Sequence, residues 1–264
     1  LLVAGKGHET TQNYGNKITN FSDKKIIKKI LKTNSFNIMN TQNFLIKSLF
    51  NKNTRPFNYS GVSINTKTIK KNNLFFAIRG KKSDGHTYTK EAIKKGAVKV
   101  VISKQVNKSN RNKIIKVKNT FSSLNKLAKL SRSISSAKII GVTGSVGKTT
   151  LKNLISFSLK NYGKVYHSPH SYNNKFGVPI SLSNLKKNIE FGIFEIGMDK
   201  KGEINKLSKI VKPDIGIITN ISEAHLKNFK NIKEIARAKA EMINNIPRFG
   251  NIILNRDDKF FNFL

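Results

Sequence analysis

The stretch IIGVTGSVGKTT at residues 139–150 decides the fold of this chain. An apolar run typical of a buried β-strand enters a turn marked by Gly144 and Gly147, and Lys148 and Thr149 open the helix that follows. The apolar face predicted for that helix consists of Leu151, Leu154, Ile155 and Leu159. A strand, a glycine turn and a helix that begins with Lys-Thr are the layout of a phosphate-binding loop.

The chemistry of this loop suits a nucleotide. The glycines let backbone N–H groups face inward, and the helix N-terminus adds partial positive charge where a phosphate would lie. Lys148 can reach the β- and γ-phosphates, and the Thr149 hydroxyl can ligate Mg²⁺. The alternative is an ordinary glycine-rich turn, since Val142 stands where a strict Walker A motif has its first glycine. The predicted ATP contacts are Thr143, Gly144, Ser145, Val146, Gly147, Lys148, Thr149 and Thr150.

The composition limits the class of protein. With 264 residues the chain is long enough for two domains. It has no cysteine, which excludes disulfide and thiolate chemistry and fits a reducing cytoplasm, and no apolar run approaches the length that a membrane span needs. The net charge of +36 is typical of nucleic-acid-binding proteins, but the lysines are scattered along the chain. We therefore expect only weak, non-specific attraction to polyanions.

The N-terminal residues 1–36 are predicted to form a strand, a loop and a helix, as at the end of an α/β domain. The apolar residues 1–4 precede the loop sequence GKGHE, and Ser22 or Asp23 can cap the helix. On the residues alone, this loop is expected to be solvated. Because the chain starts with Leu1 and ends just after a predicted strand, we expect it to be a fragment.

A second α/β domain is predicted over residues 39–137, where strands alternate with helices. Met39 is typical of an internal start, and the helix after it is expected to bury Phe44, Leu45, Leu49 and Phe50. Two polar turns each follow a strand: NTK at residues 65–67 and GKKSDGH at residues 80–86. Such turns either only reverse the chain or also bind anionic oxygens. Strands are predicted at 62–64, 74–78, 97–102 and 114–117, and helices at 89–95 and 121–133.

The third domain, predicted over residues 138–264, has a mostly parallel sheet. Its later strands, at residues 191–196, 214–221 and 251–254, end near polar residues, and a helix over residues 232–243 carries Lys239. Ligands gather outside the carboxyl ends of parallel strands, and a carboxylate there is a natural Mg²⁺ ligand. A single Glu or His in such a place is more often structural, but here four residues are expected to converge: Lys148, Glu195, His225 and Asn255.

Together, these motifs resemble the Mur ligase family over residues 39–264. Asn65-Thr66-Lys67 replaces the family's D-S-R, and Lys227 replaces the Glu that usually follows His-Leu. Residues 1–36 resemble the C-terminal end of the family member that adds the third amino acid of the peptidoglycan stem peptide. The motifs that carry the resemblance are T-G-x-x-G-K-T, L-F-x-A-x-x-G-x-x-x-D-G-H from Leu74 to His86, Asn173-Asn174 before Gly177-Val178-Pro179, Glu195-Ile196-Gly197-Met198, and Ala224-His225-Leu226 with Lys239 fourteen residues after His225.

The resemblance implies an ATP- and Mg²⁺-dependent ligase that adds D-Ala-D-Ala to UDP-N-acetylmuramoyl-tripeptide through an acyl phosphate. It implies a cytoplasmic monomer without membrane insertion and without a specific nucleic-acid partner. The implied catalytic residues are Lys148, Glu195, His225 and Lys239, and the implied metal site contains Thr149, Glu195, His225 and a carbamylated Lys239. The implied substrate contacts are Thr66, Lys67, Gly80, Asp84, Gly85, His86, Asn173 and Asn174, with Asn255 at the adenine and a remnant amino-acid site at Gly5 and Glu9.

The extent of the chain limits the expected activity. The family closes a C-terminal domain over this site, and none is expected here, so we expect ligand binding with little turnover. Residues 1–38 fit either a natural fusion or a read-through of adjacent frames. Three alternatives remain: a folylpolyglutamate synthase-like ligase, a P-loop kinase or ATPase, and a basic nucleic-acid-binding module.

Overall fold

The structure is a computed structural model, and it describes residues 11–13, 18–20, 41–50, 54–80, 83–105, 111–223 and 228–264. The chain divides into two compact units, residues 1–58 and residues 59–264. The loop with Gly5 and Glu9 and the helix predicted after Ser22 lie outside the described residues. The predicted boundary between residues 137 and 138 lies within the second unit, and the division into three domains stays a prediction.

In the described residues of the first unit, two short strands pair with each other and residues 41–49 form a helix. Strand β1 (Thr11–Asn13) pairs antiparallel with β2 (Ile18–Asn20). Helix α1 covers residues 41–49 and buries Leu45, Ile46 and Leu49. The prediction that Phe44 belongs to the buried face is wrong, because its side chain is 53% exposed and Ile46 takes its place in the stripe.

The second unit contains two parallel sheets. The first sheet has the order β3-β4-β5-β6, with all neighbouring strands parallel. Each residue of β4 is buried, as expected of a parallel strand covered on both faces. Its elements are β3 (Gly61–Ser63), β4 (Asn73–Phe76), α2 (Thr89–Lys94), β5 (Lys99–Ile102), β6 (Ile114–Lys116) and α3 (Thr120–Ser133).

The second sheet has the order β11-β10-β7-β9-β8, again with all neighbours parallel. Its elements are β7 (Lys138–Thr143), α4 (Lys148–Leu159), β8 (Val165–His167), α5 (Gly177–Ser183), β9 (Phe191–Glu195), α6 (Glu203–Val211), β10 (Ile215–Ile218), α7 (Ile232–Ala240) and β11 (Asn251–Leu254). The predicted α/β class with parallel sheets is therefore confirmed. The strands predicted within residues 59–264 are found within a few residues of their expected bounds, and the strand predicted at residues 1–4 lies outside the described residues. The last predicted helix ends at Ala240, and a 3₁₀ turn, Ile243–Asn245, follows it.

The two faces of this sheet are covered by different helices, because strand side chains alternate in direction. Ile140 and Val142 of β7 pack with Leu151, Ile155 and Leu159 of α4. The opposite face packs against α3, α5, α6 and α7 in a larger cluster. The prediction that Leu154 belongs to the apolar face of α4 is wrong: this side chain is 59% exposed, because only a narrow stripe of the helix meets the sheet.

The strand order places a crevice at the carboxyl end of β7. The chain leaves β7 through α4 toward β8 on one side, whereas it leaves β9 through α6 toward β10 on the other side of β7. Such a change of direction opens the edge where α/β proteins bind ligands. Among the described helices, none is long and apolar enough to cross a membrane.

Candidate functional site

The turn between β7 and α4 can only be built with glycine at its first position. Gly144 has φ 146° and Gly147 has φ 81°, both in the region that L side chains rarely adopt. A Cβ atom on Gly144 would lie 1.8 Å from Thr219 Oγ1, whereas one on Gly147 would meet nothing within 4 Å. The backbone therefore passes directly beneath Thr219 before α4 begins.

The segment after β10 holds this turn in place. The Ser145 N–H donates to the Asn220 carbonyl at 3.0 Å, and the Val146 N–H donates to Asn220 Oδ1 at 2.9 Å. Thr219 Oγ1 donates to the Val146 carbonyl at 2.6 Å, and Ser145 Oγ bonds both backbone groups of Ser222. The phosphate loop is thus fastened to the neighbouring strand end, and the sequence motif gave no sign of this.

Lys148 lies over the loop at the start of α4. Its Nζ donates to the carbonyls of Gly144 at 2.8 Å and Ser145 at 3.1 Å. Burial lowers the pKa of the Lys148 ammonium, and the nearby Glu195 carboxylate opposes that shift. The loop thus holds a partly buried cation on the path that a bound phosphate chain would take.

Glu195, the last residue of β9, is the buried carboxylate of the crevice, with 1% of its surface exposed. Its Oε2 accepts a hydrogen bond from Thr149 Oγ1 at 2.7 Å, and its Oε1 accepts one from Asn173 Nδ2 at 2.7 Å. Ser171 Oγ is 3.3 Å from Thr149 Oγ1. One carboxylate with neighbouring hydroxyl oxygens is a donor set that fits Mg²⁺ held jointly with nucleotide phosphates.

This set is sparse in carboxylates. Within the described ranges, no group of three or more His, Asp or Glu side chains could hold a metal ion without other donors. Lys239 on α7 is the remaining predicted group, and it is 2% exposed. Burial, together with the nearby charge of Lys148, lowers the pKa of its amine to about 7. A fraction of the amine is thus neutral near neutral pH, and the neutral form is the nucleophilic one.

A cavity of about 440 Å³ lies between the first sheet and the N-terminal end of α5, within the second unit. It brings together Thr66, Lys67, Gly85 and Asn174 of the predicted substrate contacts. Its other walls are largely aromatic and aliphatic: Ile64, Phe75, Ile78, Tyr88, Tyr172, Phe176 and Ile180, with Asn65, Ser83 and Gly177. A concave site that combines apolar walls with a few polar groups is typical of small-molecule binding.

Asp84 and His86 shape the turn beside this cavity. The His86 ring donates through Nδ1 to Asp84 Oδ1 at 2.6 Å, and its Nε2 accepts the Ser103 backbone N–H at 3.0 Å. Lys104 Nζ lies 2.5 Å from Asp84 Oδ2. Burial alone would raise the pKa of the Asp84 carboxyl, but the hydrogen bonds from Lys104 and His86 outweigh it and hold that pKa well below its usual value.

The alignment of Ser103, His86 and Asp84 resembles a nucleophilic triad, since Ser103 Oγ is 3.2 Å from His86 Nε2. However, the Ser103 backbone N–H already occupies the lone pair of Nε2, so the imidazole cannot take a proton from the hydroxyl. Both ring nitrogens therefore make hydrogen bonds within the fold, Nδ1 to Asp84 and Nε2 to the Ser103 backbone. This favours a role for His86 in holding the turn over direct contact with a substrate.

The phosphate loop and the cavity lie in regions of the chain that match two related family models. Residues 58–134 match the model of the Mur ligase family catalytic domain, and residues 142–264 match the model of the Mur ligase middle domain. The chain belongs to the Mur ligase family. The cavity lies largely in the first matched region and the phosphate loop in the second.

Two curated relatives share one name. The chain is 42% identical over 205 residues to the UDP-N-acetylmuramoyl-tripeptide–D-alanyl-D-alanine ligase of Rickettsia prowazekii (strain Madrid E), covering 78% of this chain and 45% of that protein. The ligase of the same name from Bacillus subtilis (strain 168) is 34% identical over 199 residues, covering 75% of this chain and 44% of the relative. The chain thus spans about half the length of the curated relatives it matches.

Solved structures agree. The fold matches a crystal structure of MurF from Acinetobacter baumannii with a TM-score of 0.72 and 26% identity, over 84% of this chain and 49% of that one. It also matches MurF from Thermotoga maritima in complex with ADP, with a TM-score of 0.66 and 30% identity, over 77% and 47% of the two chains.

Several predicted contacts of this Mur ligase chain have other partners in the structure. Asn173 Nδ2 donates to Glu195 Oε1. Asn174 Oδ1 accepts hydrogen bonds from the N–H groups of Phe176 and Gly177, at 3.0 Å each, where α5 begins. Asn255 is exposed, and its Oδ1 accepts the Asp257 N–H at 3.1 Å. His225 lies outside the described residues.

The two remaining loop threonines lie in opposite surroundings. Thr143 is fully buried, and its hydroxyl has no hydrogen-bond partner in the part of the chain that the structure describes. Thr150 is exposed on the first turn of α4. The Thr150 side chain is therefore open to solvent, whereas the Thr143 hydroxyl is closed off from it.

Lys152 is a buried charged residue beside Glu195 that the sequence analysis does not predict. It is 1% exposed, and its Nζ donates to the Ser168 carbonyl at 2.9 Å and to the His170 carbonyl. Its Nζ lies 3.9 Å from Glu195 Oε2. The available signal was its position four residues after Lys148, which places it on the sheet-facing side of α4 next to Ile155.

Proposed function

We propose that this chain provides the nucleotide and UDP-sugar sites of an ATP-dependent ligase. The ligase adds D-Ala-D-Ala to UDP-N-acetylmuramoyl-tripeptide in peptidoglycan precursor synthesis. The observation that carries the proposal is the 2.7 Å hydrogen bond between Thr149 and the buried Glu195 beneath a phosphate loop, in a chain with a separate cavity of about 440 Å³. The names of the relatives, at 42% and 34% identity, support the choice of substrates.

ATP is proposed to bind at the loop from Thr143 to Thr150, with its phosphates under Lys148 and its adenine near Asn255. Thr149 and Glu195 would hold Mg²⁺ together with the phosphates. When bound, Mg²⁺ withdraws negative charge from the phosphoryl group that is transferred. We propose that His225 and a carbamylated Lys239 complete this site, because a buried amine whose pKa is lowered to about 7 is partly neutral, and the neutral amine can react with CO₂ and become an anion.

The UDP-sugar end of the substrate is proposed to bind in the cavity. Thr66 and Lys67 would contact its anionic oxygens, and the neighbouring aromatic walls suit a flat base. Gly80, Asp84, Gly85 and His86 would give the turn its shape. Lys95 Nζ donates to the Thr66 carbonyl at 3.0 Å, which fixes that segment before a ligand arrives.

The proposed reaction has two steps. The terminal carboxylate of the tripeptide attacks the γ-phosphate, so that an acyl phosphate forms and ADP leaves. The D-Ala-D-Ala amine then attacks the acyl carbon, a C–N bond forms, the amine loses a proton and phosphate departs. In the first step Lys148 stabilises the charge on the transferring group, and the two sites keep both substrates in place.

We propose three parts: residues 1–36 as a remnant of a neighbouring ligase domain, 39–137 for the UDP-sugar, and 138–264 for ATP. We also propose a cytoplasmic monomer, as the resemblance to the Mur ligase family implies. The 264 residues alone should bind ligands with little turnover.

The test is calorimetric titration of the chain with UDP-N-acetylmuramoyl-tripeptide. A separate titration with dihydrofolate tests the folylpolyglutamate synthase-like alternative. One equivalent of the UDP-sugar should bind and dihydrofolate should not. Binding of dihydrofolate alone would replace this proposal with the folylpolyglutamate synthase-like alternative.

A further inference from the structure

One loop contacts both proposed sites. We call residues 168–177 the shared loop. On one side, Ser171 Oγ is 3.3 Å from Thr149 Oγ1, and Asn173 Nδ2 donates to Glu195 Oε1 at 2.7 Å. On the other side, its residues Tyr172, Asn174, Phe176 and Gly177 line the cavity. The position of this loop therefore decides how Thr149 and Glu195 are held.

The shared loop adopts a backbone conformation that has a cost. His170 has φ 47°, in the left-handed region where a side chain other than glycine is strained. Such a conformation persists only where the surrounding structure determines it, and strained residues cluster at functional sites. Some group must therefore hold His170, which directly precedes Ser171.

Lys152 is that group. Its buried Nζ donates to the carbonyls on both sides of Pro169, at Ser168 and at His170. A buried ammonium that lacks partners is very unfavourable, so it holds these two carbonyls strongly. Its 3.9 Å separation from Glu195 Oε2 is an ion pair without a hydrogen bond, which leaves the carboxylate oxygens to Thr149 and Asn173.

We propose that Lys152 is a positioning residue: it fixes the shared loop so that Ser171 and Asn173 keep Thr149 and Glu195 in the arrangement that binds the metal–nucleotide complex. This role rests on the proposed function. Helix α4 would then carry two lysines with different roles. Lys148 contacts the phosphates, and Lys152, one turn later, holds the shared loop that orients the proposed metal ligands Thr149 and Glu195.

The test is the affinity of the 264-residue chain for ADP, measured by calorimetry with Mg²⁺ and again with EDTA. In the wild type, Mg²⁺ should strengthen binding. In Lys152→Met, which keeps an unbranched side chain but removes the ammonium, this Mg²⁺ enhancement should fall about tenfold, as for partners that orient metal ligands, with the EDTA affinity nearly unchanged. Lys160→Met removes the same charge from the exposed end of α4 and should keep the enhancement.

A second variant distinguishes positioning from a general loss of stability. Glycine adopts the left-handed conformation without strain, so adding His170→Gly to Lys152→Met should restore a large part of the Mg²⁺ enhancement. If Lys152→Met shows no cooperative thermal transition, Lys152→Gln replaces it, because its amide can still donate to one carbonyl.

The outcomes separate the two proposals. A Mg²⁺ enhancement that stays unchanged in the folded Lys152 variant overturns the role of Lys152 and leaves the proposed function intact. A lost enhancement that His170→Gly does not restore also overturns the positioning role. If the wild type binds no ADP under either condition, both the proposed function and the role of Lys152 are overturned.

Discussion

The phosphate loop and the cavity are built in different ways, although they lie in the same compact unit. The loop is mainly backbone: two glycines with positive φ, and N–H and C=O groups fastened to residues 219–222. The cavity is lined by residues from separate segments at 64–67, 75–78, 83–88 and 172–180, most of which carry aromatic, aliphatic or polar side chains. We expect the loop to fail where an added atom collides with a neighbour, as at Gly144, and the cavity to respond in proportion to the side chain that is removed.

The largest expected effect is at Gly144. In Gly144→Ala the new Cβ would collide with Thr219 Oγ1 and the residue would keep φ 146°, so we expect a loss of about 3 kcal/mol or more of unfolding free energy and no ATP binding. Gly147→Ala is the matched control, since it meets no neighbour and carries only the left-handed cost of about 1–2 kcal/mol. Denaturant unfolding measures both. Equal effects would show that the contact with Thr219 is unimportant.

The next effect is at Glu195. Glu195→Gln keeps the shape but removes the buried negative charge, so the Mg²⁺-dependent part of ADP binding should weaken about 10- to 100-fold. Glu190→Gln, just before the other end of β9, should bind Mg-ADP like the wild type. Calorimetry with and without EDTA makes the comparison. A Glu195→Gln chain with full Mg²⁺ enhancement would contradict the proposed metal site.

A smaller, graded effect is expected in the cavity. Lys67→Ala removes one exposed cation from the wall and should weaken binding of UDP-N-acetylmuramoyl-tripeptide about 3- to 10-fold, with Mg-ATP affinity unchanged. Lys70→Ala removes the same charge from an exposed residue nearby and serves as the control. Equal weakening in the two variants would mean that net charge alone attracts the ligand.

The smallest effect concerns the turn that His86 holds. Lys104 and His86 lower the pKa of Asp84 below its ordinary value of 3.8, so Asp84 stabilises the fold at pH values above about 4, and this contribution is lost as the pH falls toward the folded pKa. Asp84→Asn should therefore cost about 1 kcal/mol at pH 7 and progressively less below pH 4. Thermal melting of the wild type and Asp84→Asn from pH 7 to below pH 4 checks this prediction. A stability difference that stays constant with pH would contradict the role assigned to the Asp84 carboxylate.

The predictions from sequence succeeded where the signal is local. The strands predicted within residues 59–264 were found because apolar runs and turn residues are short-range features, although the short strand β8 was not predicted. Glu195 was expected at the crevice because parallel strands end at one edge. The loop's attachment to Thr219 and Asn220 joins residues about 75 positions apart, as the 74-residue separation in the Val146–Asn220 bond shows, and no local pattern encodes it.

The burial of individual side chains on helices was predicted less well from the sequence. The burial of Lys152 is not predicted, because a lysine on a helix is ordinarily solvated. In the structure its ammonium is buried against backbone carbonyls. Leu154 and Phe44 were expected inside because they are apolar, although the position of each helix turns them outward. Asn173 and Asn174 have amide partners within the fold that the sequence does not predict, and their contact with substrate stays a prediction.

The central claim is that this chain contains two separate ligand sites, one for a nucleotide and one for a UDP-sugar. The direct measurement is a sequential calorimetric titration in which the chain is first saturated with Mg-ADP and then titrated with UDP-N-acetylmuramoyl-tripeptide. We predict that each ligand binds one equivalent and that the first does not block the second. Displacement of one ligand by the other would show a single nucleotide site at the phosphate loop, and the cavity would then have no role in substrate binding.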